Sequence, residues 1–91
     1  MKILVTGAAG FIGFHLCKKL IKNKITVIGI DNINNYYSTK LKKDRIKNLK
    51  KNKYNNYFKF KEIDIKNKIF LERYLKNKKF NQIIHLAAQA G

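Results

Sequence analysis

Four short runs rich in apolar, β-branched or aromatic residues recur along the chain, and each has the length and composition of a strand. They predict strands at Lys2–Thr6, Ile25–Ile30, Tyr57–Ile63 and within Asn81–Ala88, the last centred on Ile83–Leu86. The third run alternates aromatic residues with lysines. We therefore expect it to have one exposed face and to lie near the edge of a sheet.

Three segments between these runs carry apolar residues at helical spacing. They predict helices at Phe11–Lys22, at Ser38–Asn52 with Ser38 as its N-cap, and from a cap at Asn67 to about Lys78. The residues expected to face the core are Ile12, Leu16 and Leu20 in the first helix, Leu41, Ile46 and Leu49 in the second, and Phe70, Leu71, Tyr74 and Leu75 in the third.

The resulting order, β-α-β-α-β-α-β, predicts an α/β fold with a parallel sheet and right-handed crossovers. The first three strands would lie in the order 3-2-1, and the fourth would cross to the other side of the first. Residues 1–91 are thus expected to form one domain, the N-terminal part of a Rossmann doubly wound sheet with strand order 3-2-1-4.

A formal net charge of +16 is the most unusual feature of the composition. Such a charge can indicate a nucleic-acid or membrane partner. The residues that dominate the chain, with 19 lysines, 11 asparagines and 13 isoleucines, are however those of AT-rich codons. Only two arginines are present, and arginine is the residue that recognises phosphate and guanine bidentately. We therefore expect solvated lysines, with no specific nucleic-acid partner.

The single cysteine, Cys17, cannot form an internal disulfide, which suits the reducing cytoplasm. The apolar run at Ile3–Val5 is too short for the core of a signal peptide. No stretch of the sequence approaches the roughly 18 apolar residues of a membrane span, so no membrane partner is expected.

Three glycines follow the first predicted strand and open the first predicted helix, in Thr6-Gly7-Ala8-Ala9-Gly10-Phe11-Ile12-Gly13. This context predicts a phosphate-binding turn. Gly7 would permit the sharp turn, Gly10 would leave room for a pyrophosphate, and Gly13 would let the helix approach the sheet. The alternative is an ordinary strand-to-helix turn.

Asp31 lies at the end of the second predicted strand, 18 residues after Gly13. A carboxylate there can accept hydrogen bonds from both hydroxyls of an adenosine ribose, and it repels a 2′-phosphate. Asn32 follows where an NADP enzyme would tend to carry a cation, so the pair predicts NAD. The alternative is that Asp31 only starts a turn. Asp64 and Ile65 follow the third strand, where they would suit the adenine amino group and ring.

The two histidines carry no predicted chemistry. His85 is interpreted as a strand-end residue, and His15 lies in the first predicted helix. Neither has a partner at metal-ligand spacing, so no metal site is expected. Ala87 and Ala88 are small residues at the point where a cofactor must approach the backbone.

Four motifs, in this order, make the chain resemble the extended short-chain dehydrogenase/reductases, the NAD-dependent nucleotide-sugar epimerases and dehydratases. The motifs are Thr6–Gly13, Asp31-Asn32, Asp64-Ile65 and His85-Leu86-Ala87-Ala88. Within the family, Asp31–Tyr37 and His85–Gly91 are most similar to UDP-glucuronate 4-epimerases. Sugar 4,6-dehydratases, which usually differ in both loops, are the second interpretation.

The resemblance implies NAD as the cofactor and a nucleotide sugar as the substrate of the parent enzyme, which could be a homodimer. It also implies that NAD contacts 13 residues: Gly7, Gly10, Phe11, Ile12 and Gly13 at the pyrophosphate, Asp31 and Asn32 at the ribose, Asp64 and Ile65 at adenine, and Leu86, Ala87, Ala88 and Gln89 further along. In the family, NAD takes a hydride from C4 of the sugar and returns it to the other face.

The family's catalytic Tyr-x-x-x-Lys pair is expected beyond Gly91, since such enzymes need a two-part architecture of roughly 300 residues. Three matches to that pattern do occur, at Tyr36/Lys40, Tyr57/Lys61 and Tyr74/Lys78. Their predicted positions keep them away from the nicotinamide, so all three are interpreted as chance matches. The chain is thus expected to hold NAD without turning over a substrate, and a non-catalytic NAD-binding module is the remaining alternative.

Overall fold

The computed structural model describes residues 1–33 and 39–87. Its elements follow the predicted β-α-β-α-β-α-β order, with one 3-10 turn, Asn55–Tyr57, before the third strand. The strands are β1 (Lys2–Thr6), β2 (Thr26–Asp31), β3 (Phe58–Glu62) and β4 (Gln82–His85), and the helices are α1 (Phe11–Lys22), α2 (Thr39–Lys50) and α3 (Lys68–Leu75). Ser38, the predicted cap of α2, lies outside the described residues.

The four strands form one parallel sheet in the order β3-β2-β1-β4, which confirms the predicted order 3-2-1-4. Leu4 in β1 is aligned with Ile28 in β2 and with Ile83 in β4. β1 and β2 are buried along nearly their whole length, whereas β3 and β4 are largely exposed edge strands. The alternating aromatic and lysine residues of β3 are therefore explained by its position at the edge.

Helices cover both faces of the sheet. α1 and α2 pack over one face, where Val5 and Val27 meet Ile21, Ile46 and Leu49. α3 covers the other face, where its half-buried apolar side chains pack on Leu4, Ile28, Ile30 and Ile63. Because side chains alternate along a strand, neighbouring residues of β1 and β2 contribute to different cores.

The predicted buried face of α1 is wrong by about one residue. Ile12 is 68% exposed, and the buried residues of the helix are Gly13, Cys17 and Ile21. Leu16 and Leu20 lie at the border of the core and are half-buried. The apolar pattern misplaced the face because α1 makes its closest approach, to the turn after β1, through Gly13, which has no side chain for the pattern to detect.

In α2 and α3 the predicted core residues are also partly wrong. Leu41 is 47% exposed and Phe70 is 46% exposed, while Ile46 and Leu49 are buried as predicted. Lys42 takes the buried position beside Leu41. The Asn67 side chain caps α3 by accepting a hydrogen bond from the Phe70 amide at 3.2 Å, which confirms the predicted cap.

α3 ends at Leu75, three residues earlier than predicted. Asn77 adopts a left-handed backbone conformation with φ of 67°, which a helix cannot continue through. Among residues 1–33 and 39–87, the helices include no candidate for a membrane span.

Candidate functional site

The turn between β1 and α1 is fixed by its glycines. Gly7 has φ of +76°, the left-handed region that favours glycine, and its amide donates to the Ile30 carbonyl at 2.8 Å. A Cβ on Gly7 would also lie 2.8 Å from the Ala87 nitrogen and the Leu86 carbonyl carbon. Glycine is therefore required at position 7 for the turn, as predicted. It is also required because the backbone that follows β4 lies too close to leave room for a side chain.

Gly13 brings α1 against this turn. A Cβ on Gly13 would lie 2.0 Å from the Gly7 oxygen and 3.0 Å from the Ala8 Cα, both of them backbone atoms that cannot move aside cheaply. This agrees with close helix packing as the reason for glycine at this position.

Gly10 has no comparable packing reason to be glycine. Its backbone is extended, with φ of −71°, and a Cβ there would meet only the Gly7 oxygen, at 3.3 Å. Gly10 is also the N-cap of α1, where it supplies no side-chain hydrogen bond to the first turn. Amides at the start of a helix that lack a side-chain cap can bind an anion.

Asp31 connects the end of β2 to the glycine turn. Its side chain is buried, and Oδ2 accepts a hydrogen bond from the Ala9 amide at 3.0 Å. Oδ1 accepts from the Ile33 amide at 2.9 Å, the geometry of an Asx turn. Asp31 therefore does form a turn, which was the alternative interpretation of this residue. The same carboxylate also accepts a hydrogen bond from the glycine turn. Asn32, next in the chain, is half-buried.

Two cations of α2, Lys42 and Arg45, reach the same turn, although the lysines of the chain were expected to be solvated. Lys42 Nζ lies 3.4 Å from Asp31 Oδ1, and Lys42 is buried. Arg45 Nη1 donates to the Ala9 carbonyl at 3.1 Å, and its guanidinium lies 5.8 Å from the centre of the Phe11 ring. A signal was present in the sequence, because residues 42, 45, 46 and 49 share one helical face.

Asp64 and Ile65 follow β3 at the same edge of the sheet. Asp64 is exposed, and its Oδ1 accepts from the Lys66 amide at 2.9 Å, while Ile65 is half-buried. The Ile63 amide just before them donates to the Asp31 carbonyl at 3.0 Å. Asp64 and Ile65, the residues predicted to contact adenine, therefore directly follow Ile63, which is hydrogen-bonded to the end of β2.

A hydrogen-bonded clasp joins the ends of β1 and β4. Thr6 Oγ1 accepts from the Leu86 amide at 3.1 Å and from the Ala87 amide at 3.3 Å. It also lies 2.7 Å from His85 Nδ1. The Leu86 amide also donates to the Thr6 backbone carbonyl at 3.1 Å, so the ends of β1 and β4 are joined through both the main chain and the hydroxyl. The structure confirms His85 as a strand-end residue.

Replacing Thr6 with valine is expected to destabilise the fold by about 1 to 2 kcal/mol, because the Ala87 amide loses its acceptor. Thr6→Ser keeps the hydroxyl and should lie closer to the unsubstituted chain. Urea denaturation followed by circular dichroism measures both. Equal stability of the valine and serine variants would contradict the clasp.

The other reactive side chains are held in inert positions. Burial raises the pKa of the Cys17 thiol to about 12, so it is not a nucleophile at neutral pH. Burial also raises the pKa of Tyr74, and Lys78 Nζ donates to the Tyr74 backbone carbonyl at 2.6 Å. A tyrosine that acts as a base near neutral pH needs a lowered pKa instead. Residues 1–33 and 39–87 contain no group of three potential metal ligands.

Tyr57 precedes the edge strand β3, on the opposite side of the sheet from β4. Tyr36, Ala88 and Gln89 lie outside the described residues.

The structure brings Gly7, Gly10, Gly13 and Asp31 together, with Leu86 and Ala87 against Gly7. Phe11 and Ile12 are exposed at the start of α1.

A parallel sheet of order β3-β2-β1-β4, with a glycine turn after β1 and a buried carboxylate at the end of β2, defines the Rossmann-like class of α/β folds. The sequence model of the GDP-mannose 4,6 dehydratase family matches residues 4–91. The chain belongs to this family, which confirms the resemblance to epimerases and dehydratases.

Among its relatives, Protein CapI of Staphylococcus aureus is 47% identical over 91 residues, covering the whole chain and 26% of the relative. The UDP-glucuronate 4-epimerase of Thermodesulfobacterium geofontis is 43% identical, covering 97% of the chain and 26% of the relative. The UDP-glucuronic acid 4-epimerase of Bacillus cereus, solved with UDP-glucuronic acid and NAD, matches with a TM-score of 0.81 and 43% identity. That match covers the whole chain and 27% of the solved one. The chain thus spans about a quarter of the length of these relatives.

Proposed function

We propose that the chain binds NAD across the carboxyl ends of β1, β2 and β3. The main support for this proposal is that packing gives little reason for glycine at position 10. Backbone contacts explain why Gly7 and Gly13 must be glycine, but a Cβ on Gly10 would make a single contact of 3.3 Å, much less severe than the 2.0 Å contact at Gly13. A ligand that approaches the backbone at Gly10 supplies the missing reason, and a pyrophosphate at the start of α1 is such a ligand.

Asp31 supports the dinucleotide over a simple phosphate. Its carboxylate is bonded to Ala9 within the turn, so a ligand with its pyrophosphate at Gly10 would have its adenosine ribose near Asp31. The remaining lone pairs of the carboxylate can accept the ribose hydroxyls, and its charge opposes a 2′-phosphate. Asp64 and Ile65 then provide a polar group and an apolar surface for adenine.

Calorimetric titration of the purified chain with NAD and with NADP tests this proposal. We expect NAD to bind more tightly than NADP and to raise the unfolding temperature. Affinity should be weaker than about 1 µM, because Leu86 and Ala87, on the nicotinamide side, are only half-buried. Absence of NAD binding would contradict the proposal. A submicromolar dissociation constant would contradict the expectation that the chain binds NAD only weakly.

We further propose that the chain is the NAD-binding part of a cytoplasmic nucleotide-sugar 4-epimerase, with UDP-glucuronate as the favoured substrate. The support is the identity to UDP-glucuronate 4-epimerases. NAD would supply a transient hydride acceptor for C4 of the sugar. The chain would position the adenosine and pyrophosphate, whereas the catalytic tyrosine and lysine would come from sequence outside these 91 residues.

A 4,6-dehydratase is the second candidate, favoured by the description of the matched family. The two reactions give different products from their nucleotide sugars: an inverted hydroxyl at C4 for the epimerase, and a 4-keto-6-deoxy sugar for the dehydratase. Proton NMR of the products formed by a longer protein that contains this sequence would distinguish them. For the 91-residue chain alone, no turnover is expected.

A further inference from the structure

The outer edge of β3 carries backbone groups that pair with nothing in the described part of the chain, where β3 is bonded to β2 alone. The Ile63 amide, just after the strand, donates to the Asp31 carbonyl. Because backbone groups alternate in direction along a parallel strand, residues 59, 61 and 63 face β2, and the N–H and C=O groups of Phe60 and Glu62 face outward. Such an edge is a template for a further strand.

A groove of about 300 Å³ lies beside this edge, between β3 and α2. Its apolar surface comes from Ile33, Ile46 and the half-buried ring of Phe60. Three exposed lysines of α2 complete the lining, namely Lys43, Lys47 and Lys50. Lysine side chains can lay their apolar stems along such a surface and keep their ammonium groups in water. A strand added to β3 could therefore place an apolar side chain in the groove, with cations around it.

The charge around the edge is strongly positive. On the other face of β3, Lys59 and Lys61 are exposed, and Lys61 Nζ lies 5.8 Å from the centre of the Phe70 ring. With the three lysines of the groove, five cations flank the strand. None of the five makes an ion pair with a residue that the structure describes. Glu62 is the only acidic residue of β3 and of the groove lining.

This charge excludes a second copy of the chain as a favourable occupant. Two β3 edges side by side would set lysines against lysines, and like charges directly opposite each other destabilise a strand pair. Lysine on an edge strand is a common protection against self-association. A strand that carries carboxylates has the complementary charge.

We propose that the outer edge of β3 is a docking site for an extended acidic segment of a partner protein. The segment adds a strand to the sheet by pairing with the backbone of Phe60 and Glu62. One of its apolar side chains enters the groove beside Phe60, and its carboxylates face the flanking lysines. This inference is independent of the proposed NAD site, because it uses the opposite side of β3 from β2.

Fluorescence anisotropy with a labelled peptide of alternating glutamate and valine residues tests the docking site. We expect the chain to bind this peptide saturably at physiological ionic strength. A peptide of alternating glutamate and serine keeps the charge but lacks the apolar side chains, and it should bind at least about tenfold more weakly.

Backbone pairing is tested by N-methylating the peptide, either on all its glutamates or on all its valines. Both methylated peptides keep the charge and the side chains. Only one edge of an added strand faces β3, so one of the two should lose at least about tenfold in affinity and the other should retain it. Equal affinities of the two methylated peptides would show binding by charge alone and would overturn the proposal.

Lys47→Glu tests the location, with Lys19→Glu as the matched control. Both are exposed lysines in the last turn of a helix, and only Lys47 lines the groove. We expect Lys47→Glu to weaken binding of the glutamate–valine peptide at least about fivefold, and Lys19→Glu to change it less than about twofold, because distant exposed charges are screened by salt. Equal losses in the two variants would contradict a site at β3.

Hydrogen exchange of the backbone amides reports the pairing directly. Binding of the glutamate–valine peptide should slow the exchange of Phe60 and Glu62, whose amides face outward, and leave Lys59 and Lys61, already directed toward β2, unchanged. No added protection at Phe60 and Glu62 would refute strand addition. Tighter binding of a thymidine oligonucleotide than of the peptide, with the same loss in Lys47→Glu, would make the edge a nucleic-acid surface and overturn the peptide as its occupant.

Discussion

Gly13→Ala is expected to destabilise the fold by at least about 3 kcal/mol, at the upper end of what overpacking usually costs. The new methyl carbon would lie 2.0 Å from the Gly7 oxygen and 2.8 Å from the Gly7 carbonyl carbon. Relief requires α1 to move off the turn. In an ordinary helix the same substitution would stabilise by roughly 1 kcal/mol, so the sign of the change is itself informative.

Urea denaturation monitored by far-ultraviolet circular dichroism measures this loss. Gly10→Ala is the matched control, because its methyl carbon meets one backbone oxygen at 3.3 Å. We expect that control to change stability by less than about 1 kcal/mol. A Gly13→Ala variant as stable as the unsubstituted chain would show that α1 does not pack at this distance.

Gly10→Ala is expected to have the opposite profile, with the fold retained and NAD binding reduced at least about tenfold. The extended backbone of Gly10 accommodates alanine, but the methyl group would occupy the approach of the pyrophosphate. Calorimetric titration with NAD, at temperatures where the variant is folded, measures the effect. Unchanged NAD affinity would refute the assignment of Gly10 to the pyrophosphate.

The order of elements and the sheet could be predicted from the sequence because both depend on local pattern. β-branched runs between helical segments indicate buried parallel strands, and the glycine turn is recognised by its position between β1 and α1. The position of Asp31 was predictable for the same reason. The end of β2 can be recognised from the sequence, and the carboxyl ends of parallel strands lie at one edge of the sheet.

Features that depend on tertiary contacts were not predictable in this way. The face of α1 was misplaced because Gly13, the residue nearest the turn, contributes nothing to an apolar pattern. Lys42 was grouped with solvated lysines because composition cannot show that one ammonium faces a carboxylate 11 residues earlier. The Thr6 clasp joins residues about 80 positions apart, and nothing local in either segment indicates it.

If the carboxyl ends of β1, β2 and β3 form an NAD site, the backbone amides there should respond to NAD. Two-dimensional ¹H–¹⁵N spectra of the labelled chain, recorded during an NAD titration, report each backbone amide separately. We expect the largest changes at Gly7–Gly13 and Asp31-Asn32, with smaller ones at Asp64-Ile65 and little change in α3. Changes spread over the lysine-rich surface, or absent from the glycine turn at saturating NAD, would contradict this expectation.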